Sequence, residues 1–340
     1  VLDTGAAPLE AYVSLDRLYR STRRWDDLIR LLERQIDENV GDANAVRLSL
    51  ASVLLEKRDD PYAAFELLQQ NLAPGREHGR TVEYLEGLMA GEAHRGDAAR
   101  LLEPVYLARM DWAKVSAALD ARLAIEDDIS ARKEIFERMG QLHEDYLEDL
   151  DGALEAYARL FREDPYDKAS WETLTRLARA QDNWTRLADI FAGALAEIET
   201  DGPESAELAA IAGKHYLDHA GLAEKAAPLF MRAFRFDPTT PDVFEYLERC
   251  LKQIEDWDSL IQVYREAAEV AESDEERVGI LRRAATVEEV RRGNIEAAIG
   301  LQPEALEIDP AYEPSLEAVE RLLSVGERWE EVADHLRFQI

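Results

Sequence analysis

The sequence predicts an all-α fold, a right-handed α-solenoid of about nine helical hairpins, and three observations predict it. A phrase built on Trp recurs five times, at Trp25, Trp112, Trp184, Trp257 and Trp329, with spacings of 87, 72, 73 and 72 residues. Apolar residues stand at helical intervals on both sides of each Trp. A second phrase, rich in Ala and closed by Asp-Pro, falls between the Trp phrases. Self-similarity at a fixed period of this size is the mark of a repeat array.

The Trp phrase is the junction of a hairpin. Ten residues before the Trp stands Leu15, Leu174, Leu247 or Val319, and six before it Tyr19, Tyr106, Ala178, Leu251 or Leu323. Three and seven residues after it come Leu28 and Leu32, Leu187 and Phe191, Leu260 and Tyr264, Val332 and Leu336. This is one helical face before a short turn and another after it. Asp26, Asp258 and Glu330 follow the Trp directly, where an acid suits the positive end of the second helix.

The Ala-rich phrase ends at Asp164-Pro165, Asp237-Pro238 and Asp309-Pro310. Ala153, Ala226 and Ala298 are small enough for close helix approach, and the Asp-Pro pair stops the helix. The 72-residue period is therefore two hairpins of about 36 residues. Pro228 and Pro303 fall inside second helices, where kinks are expected.

These residues resemble the tetratricopeptide repeat family. Trp171 and Leu174, Tyr12 with Leu15 and Tyr19, and Phe244 with Leu247 match the start of its pattern, and Trp184 with its equivalents fills the turn aromatic. Gly213, Tyr216, Ala226, Phe230, Ala233 and Pro238 supply the rest. The Trp hairpins depart from the pattern by carrying Asp16, Thr175, Glu248 and Glu320 where the family has Gly. The resemblance implies a long array whose first helices line a concave binding groove.

One spacing is irregular. From Ala153, Ala226 and Ala298 the next Trp follows after 31 residues, but from Ala64 to Trp112 the distance is 48. The 17 extra residues predict one inserted helix near residues 79–95, in a stretch holding Gly75, Gly79, Gly87, Gly91 and Gly96. The expected organisation is two hairpins over 1–74, the inserted helix and its connector over 75–96, and seven hairpins over 97–340. The first and last phrases are the same half-period, so both ends read as cuts in a longer array. Leu336 and Ile340 would then present an apolar face to further repeats of the same chain.

Composition narrows the function. The chain has 340 residues, 46% of them hydrophobic, which is ample for a core. Forty basic residues against 71 acidic ones give a net charge of −31, a field that repels phosphate backbones and anionic lipid. Direct nucleic-acid contact and membrane insertion are not expected, and no apolar run reaches the roughly 18 residues that span a bilayer. The single Cys250 excludes an intrachain disulfide framework; it stands in the slot of Leu18, Leu177 and Leu322 and reads as a buried apolar filler. A soluble protein is expected, cytoplasmic rather than periplasmic.

No motif for catalysis emerges, and no cofactor is expected. His215 and His219 in "HYLDH" share a helix face, but two imidazoles need a further metal ligand and none is at hand. "DENVGDAN" from Asp37 has the wrong order for a calcium loop; Asp42 there, like the acids of "EDDIS" from Glu126, reads as a helix cap. The expected function is a non-enzymatic scaffold or adaptor that binds partner protein segments, including acidic ones. The alternatives are a half-repeat scaffold within an RNA-processing complex, without RNA contact, or an accessory region of a larger enzyme.

The candidate partner-binding residues are cations of the Trp hairpins. Eight residues before the Trp stand Arg17, Arg176, Arg249 and Arg321, and five before it Arg20, Arg179 and Lys252. Both positions resemble groove-facing slots of the family. Glu172, Glu245 and Glu317 precede three of the first set by four residues, and Asp16 and Glu248 precede Arg20 and Lys252 in the same way. Intrahelical ion pairs, each contributing roughly 0.2–0.5 kcal/mol, or cross-links to acids on the neighbouring helix therefore explain most of the series as well as a binding ladder does. Arg179 alone of the second set has no acid four residues before it.

Overall fold

The computed structural model describes residues 9–73, 77–308, 313–325, 328 and 330–332. Trp329, Pro310, Leu336 and Ile340, and with them the expected apolar end face, lie outside the described residues. Packing contacts divide the chain into two compact units, Val1–Glu163 and Asp164–Ile340. The described residues contain eighteen α-helices and no strand.

In the first unit the helices are α1 (Leu9–Ser21), α2 (Trp25–Asp37), α3 (Ala43–Val53), α4 (Pro61–Gln70), α5 (Gly79–Ala90), α6 (Arg95–Ala108), α7 (Trp112–Arg122), α8 (Ile129–Asp145) and α9 (Leu150–Glu163). In the second they are α10 (Lys168–Gln181), α11 (Trp184–Ala196), α12 (Pro203–Lys214), α13 (Ala223–Phe236), α14 (Pro241–Gln253), α15 (Trp257–Val270), α16 (Asp274–Val290), α17 (Ile295–Ile308) and α18 (Glu313–Val325). Within each unit the principal contacts join helices that are adjacent or next but one in sequence. Stability in such a stack is a sum of hairpins and their nearest-neighbour interfaces.

Two kinds of turn alternate, and hydrogen bonds tell them apart. Each of the four described Trp residues of the recurring phrase is the first residue of its second helix, and two residues before it the backbone is left-handed: Arg23 (φ 56), Met110 (55), Asp182 (51) and Glu255 (59). The next amide donates back five residues, Arg24 to Tyr19, Asp111 to Tyr106, Asn183 to Ala178 and Asp256 to Leu251, at 2.9–3.0 Å. The left-handed residue's own amide donates back three residues. This is the Schellman closure, which satisfies carbonyls that a helix end leaves open. The backbone carbonyl of the residue six before the Trp therefore has a fixed role in closing the first helix.

The second kind of turn is one residue wider. Asp59, Glu148, Gly221 and Gly293 are left-handed, two residues before Pro61, Leu150, Ala223 and Ile295. The amide that follows each donates back six residues, Asp60 to Leu54, Asp149 to His143, Leu222 to Tyr216 and Asn294 to Glu288, at 2.8–3.2 Å. In two of these hairpins the first helix loosens into a π-helical turn, Leu54–Arg58 and His215–His219. Six of the eight left-handed residues are not Gly, and each sustains roughly 1–2 kcal/mol of steric cost. Caps offset part of it: Asp111, Asn183, Asp256, Asp60, Asp149 and Asn294 each accept an amide of the helix they precede. Asp42 and Asp128 cap α3 and α8 as the sequence suggests.

The Trp rings are partly buried and join one hairpin to the next. Trp25 meets the Lys57 ammonium at 5.4 Å, Trp112 stacks on Tyr146 at 4.2 Å, Trp184 on His219 at 4.3 Å, and Trp257 meets the Arg291 guanidinium at 5.3 Å. Lys57, Tyr146, His219 and Arg291 each stand four residues before the second helix of the following hairpin. The partner position is thus constant while its chemistry varies between cation and aromatic, both of which suit the indole face.

Within the Ala-rich hairpins small residues stand ten residues before the second helix, Ala51, Gly140, Gly213 and Ala285, and at the two Gly positions the helices approach closely. A Cβ on Gly140 would lie 2.4 Å from the Tyr157 ring, and one on Gly213 2.9 Å from the Phe230 ring. Ala64, Ala153, Ala226 and Ala298 are fully buried, as their size requires. The helices α13 and α17 continue through Pro228 and Pro303. The inserted helix is α5, 79–90, and its start is tied down. Asn71 is buried and donates to the Asn44 carbonyl at 2.8 Å and to the Thr81 hydroxyl at 3.0 Å.

Two outcomes follow for stability. Gly213→Ala drives a methyl into the Phe230 ring and should destabilise by about 1–3 kcal/mol in chemical denaturation. Gly193→Ala, on a helix position with open space around it, should instead stabilise by about 0.5–1 kcal/mol. His215, also stacked on Trp184 at 5.1 Å, is pushed down to about 4 by burial and by His219, with Asp218 opposing. The unfolded imidazole titrates near 6.5, so its contribution is complete above that pH and is lost as pH falls toward 4. The melting temperature should therefore drop between pH 7 and 5, and drop less in His215→Phe.

Candidate functional site

The Trp hairpins put a charged group where the Ala-rich hairpins put a small one. Because their turn is one residue shorter, the corresponding slot lies nine residues before the Trp, at Asp16, Glu103, Thr175, Glu248 and Glu320. A carboxylate at a helix–helix contact has to be neutralised, and three of these are. Glu103 accepts from Arg122 at 2.5 Å and from Arg138 at 2.7 Å. Glu248 accepts from Lys252 at 2.6 Å, from Arg283 at 3.2 Å and from the Tyr264 hydroxyl at 2.5 Å. Asp16 holds Arg20 at 3.0 Å, and Arg20 donates onward to the Ser49 hydroxyl at 2.5 Å.

Electrostatics follow from this packing. Burial would raise the Glu248 carboxyl, but the bonds from Lys252 and Tyr264 and the nearby cations hold it below the ordinary value. Burial, then the bond to Glu248, pushes the Tyr264 phenol up. Arg138, Arg283, Ser49 and Ile211 occupy one register, twelve residues before the next second helix. Arg138 and Arg283 are the residues that reading along a single hairpin misses. The signal that finds them is a count back from Leu150 and Ile295.

The seven candidate cations meet different fates. Arg20 and Lys252 are held by the acids four residues before them. Arg249 donates to Asp218 at 3.1 Å, and Arg321 grips Glu289 with two nitrogens, the longer bond being 2.8 Å. Both acids lie on the first helix of the preceding hairpin, not on the cation's own helix. Arg176 has a partner. Arg17 and Arg179 are exposed and form no ion pair or side-chain hydrogen bond among the described residues. The paired cations are still half exposed: 59% for Arg249, 54% for Arg321, 49% for Lys252 and 39% for Arg20. Ion pairs this exposed contribute about 0–1 kcal/mol and are open to competition by a ligand's carboxylates.

Clefts open beside three of these slots, the first two at equivalent places and the third nearer the turn. One of about 310 Å³ is lined by Tyr12, Asp16, Arg17, Leu32 and Ser49. One of about 430 Å³ is lined by Trp171, Thr175, Arg176, Arg179, Phe191 and Ile211. One of about 510 Å³ is lined by Lys252, Trp257, Tyr264, Arg283 and Arg291 among others. Clefts of this size fit single side chains of a bound segment.

The other candidate chemistry is absorbed by packing. Cys250 is fully buried, and burial pushes its thiol up to about 11, which leaves it the protonated filler expected. His215 and His219 stack with each other and with Trp184. Among the described residues no group of three or more His, Cys, Asp or Glu could hold a metal ion, and no helix is long and apolar enough to cross a membrane.

Residues 11–43 and 246–278 match the tetratricopeptide repeat model. No curated protein matches the chain. Among solved structures, YrrB, described as a TPR protein with an unusual peptide-binding site, is 18% identical, with 56% of this chain and 91% of that one covered and a TM-score of 0.30. MamA is 17% identical over 53% of this chain and 93% of its own, with a TM-score of 0.31. The C-terminal part of a TPR repeat-containing protein from Cytophaga hutchinsonii is 14% identical over 75% and 98%, with a TM-score of 0.30. The two matched segments, one in each compact unit, are tetratricopeptide-like and stand among the further helical hairpins of the described residues.

Proposed function

We propose that this protein is a non-enzymatic scaffold that binds segments of partner proteins along the concave face formed by the first helices of its hairpins. The observation that carries the reading is the row of accessible cations on those helices, in a chain whose net charge is −31. An isolated cation in such a chain is readily matched by a nearby acid. Here Arg17 and Arg179 are left exposed beside clefts that accept side chains, and Arg249 and Arg321 are held only by weak surface pairs. A partner segment bearing carboxylates would exchange those pairs for its own and gain charge-assisted hydrogen bonds.

The same face disfavours nucleic acid. Acids stand among these cations, Asp218 and Glu289 on neighbouring helices and Glu248 on the helix of Lys252, and with a net charge of −31 a polyphosphate would meet repulsion. A partner with discrete carboxylates separated by apolar residues suits the alternation of cation and cleft.

The test is capture of partner proteins on immobilised wild type and on an Arg17→Glu/Arg176→Glu/Arg249→Glu variant, with melting temperatures measured beside them. Partners held by the wild type should be lost from a variant that melts within a few degrees of it, and should elute as salt rises. The same partners on both proteins, with the same salt dependence, would remove binding from this face.

A further inference from the structure

The third Trp hairpin lacks the acid that the other four carry nine residues before the Trp. Glu103 and Glu248 sit in the slot nine before the Trp and are neutralised from the following hairpin by Arg138 and Arg283. Tyr264, seven residues into the second helix, completes the set at Glu248. At the equivalent places the third hairpin has Thr175 for the acid, Ile211 for the arginine and Phe191 for the tyrosine. Every polar member of the network has been replaced by an uncharged or apolar one except the cation. Arg179 occupies the place of Lys252 and Arg20, and those two each hold the acid four residues earlier. Arg179 has no such acid, and its side chain forms no ion pair or hydrogen bond among the described residues.

The apolar replacements leave a cleft. Trp171, Phe191 and Ile211 line its walls, Trp171 and Phe191 being buried against each other with ring centroids 6.3 Å apart. Arg179 and Thr175 stand with them in the lining. Lys168 is already engaged, bonding Glu207 at 2.9 Å and lying 5.7 Å over the Trp171 ring. The cleft, about 430 Å³ in volume, thus offers one unengaged guanidinium, one hydroxyl and an apolar wall, with Arg176 and the Glu172 carboxylate completing its lining.

We infer that this cleft is a docking site for an acidic side chain of a partner protein segment, with a large apolar residue beside it. The partner's carboxylate takes the role that Glu248 plays in the fourth Trp hairpin, accepting from Arg179, while its apolar neighbour covers Trp171, Phe191 and Ile211. The site rests on the partner-binding reading above and names the residue type that it selects. A guanidinium bound to a carboxylate at the edge of an apolar cleft is partly desolvated, and a charged hydrogen bond there is stronger than one on an open surface. The fit is two-part, so neither an acid nor an apolar residue alone satisfies it.

The probe is a short fluorescein-labelled peptide, blocked at both ends, with Glu-Leu at its centre. Beside it are run the Gln-Leu and Glu-Ser counterparts and a peptide with no acidic side chain ending in a free Leu carboxylate. Fluorescence anisotropy on the full chain should give binding of Glu-Leu at least about tenfold tighter than of either counterpart. Thr175→Glu supplies the missing acid in cis, as Glu248 does for Lys252. It should abolish Glu-Leu binding with the melting temperature equal to or above that of wild type, and Arg179→Gln should abolish it also. Equal binding of Glu-Leu and Gln-Leu, unchanged binding to Thr175→Glu, or no binding of any peptide would overturn the site. Preference for the free terminal carboxylate would likewise overturn it in favour of chain-end capture. Partner capture that depends on Arg17 and Arg249 survives all of these results, so failure here is separable from failure of the scaffold reading.

Discussion

The array depends on one contact in each hairpin, the point at which the slot residue of the first helix faces the second. A helix pair can close there only if the facing residue is small or if its charge is cancelled on the spot. Gly140 and Gly213 solve it by leaving out a side chain against Tyr157 and Phe230. Glu103 and Glu248 solve it by recruiting arginines 35 residues away, on the next hairpin. The second solution ties successive hairpins together through a carboxylate buried in the contact and held by arginines that are themselves about half exposed. Thr175 is a third solution, neutral and of intermediate size. It is the one that leaves a cation over.

The repeat was legible because an aromatic at a fixed interval survives any change around it. Trp25, Trp112, Trp184 and Trp257 mark the turns, and the structure begins a helix at each. The inserted helix was legible from a spacing alone. What could not be read was the alternation of two turn widths. It is carried by backbone carbonyls six residues before the Trp in one case and seven before the second helix in the other, and carbonyls have no sequence identity. Nor does the left-handed residue announce itself, since Arg23, Met110, Glu148 and Glu255 have no special tolerance for that conformation.

The candidate site was half legible. Its cations stand out by position, and Arg179 could be singled out because Thr175 precedes it where its equivalents have an acid. The pairing of Arg249 and Arg321 was not legible. Glu245 and Glu317 stand at the favourable spacing on the same helix, yet the guanidinium groups reach Asp218 and Glu289 across the helix boundary. Intrahelical spacing counts only candidates on one helix, whereas a long arginine samples two. The cleft required three substitutions on three helices to be seen at once, Thr175, Phe191 and Ile211, and only the superposed repeats bring them together.

The indole of each Trp hairpin lies on the end of the following Ala-rich hairpin, at Lys57, Tyr146, His219 or Arg291. An Ala-rich hairpin offers no such ring to its successor. A gene that gained or lost a single hairpin would therefore set a Trp hairpin against another Trp hairpin, whose narrower turn does not present a residue at that place. An engineered array assembled from these modules therefore keeps each indole against its partner position only when it is counted in periods of two.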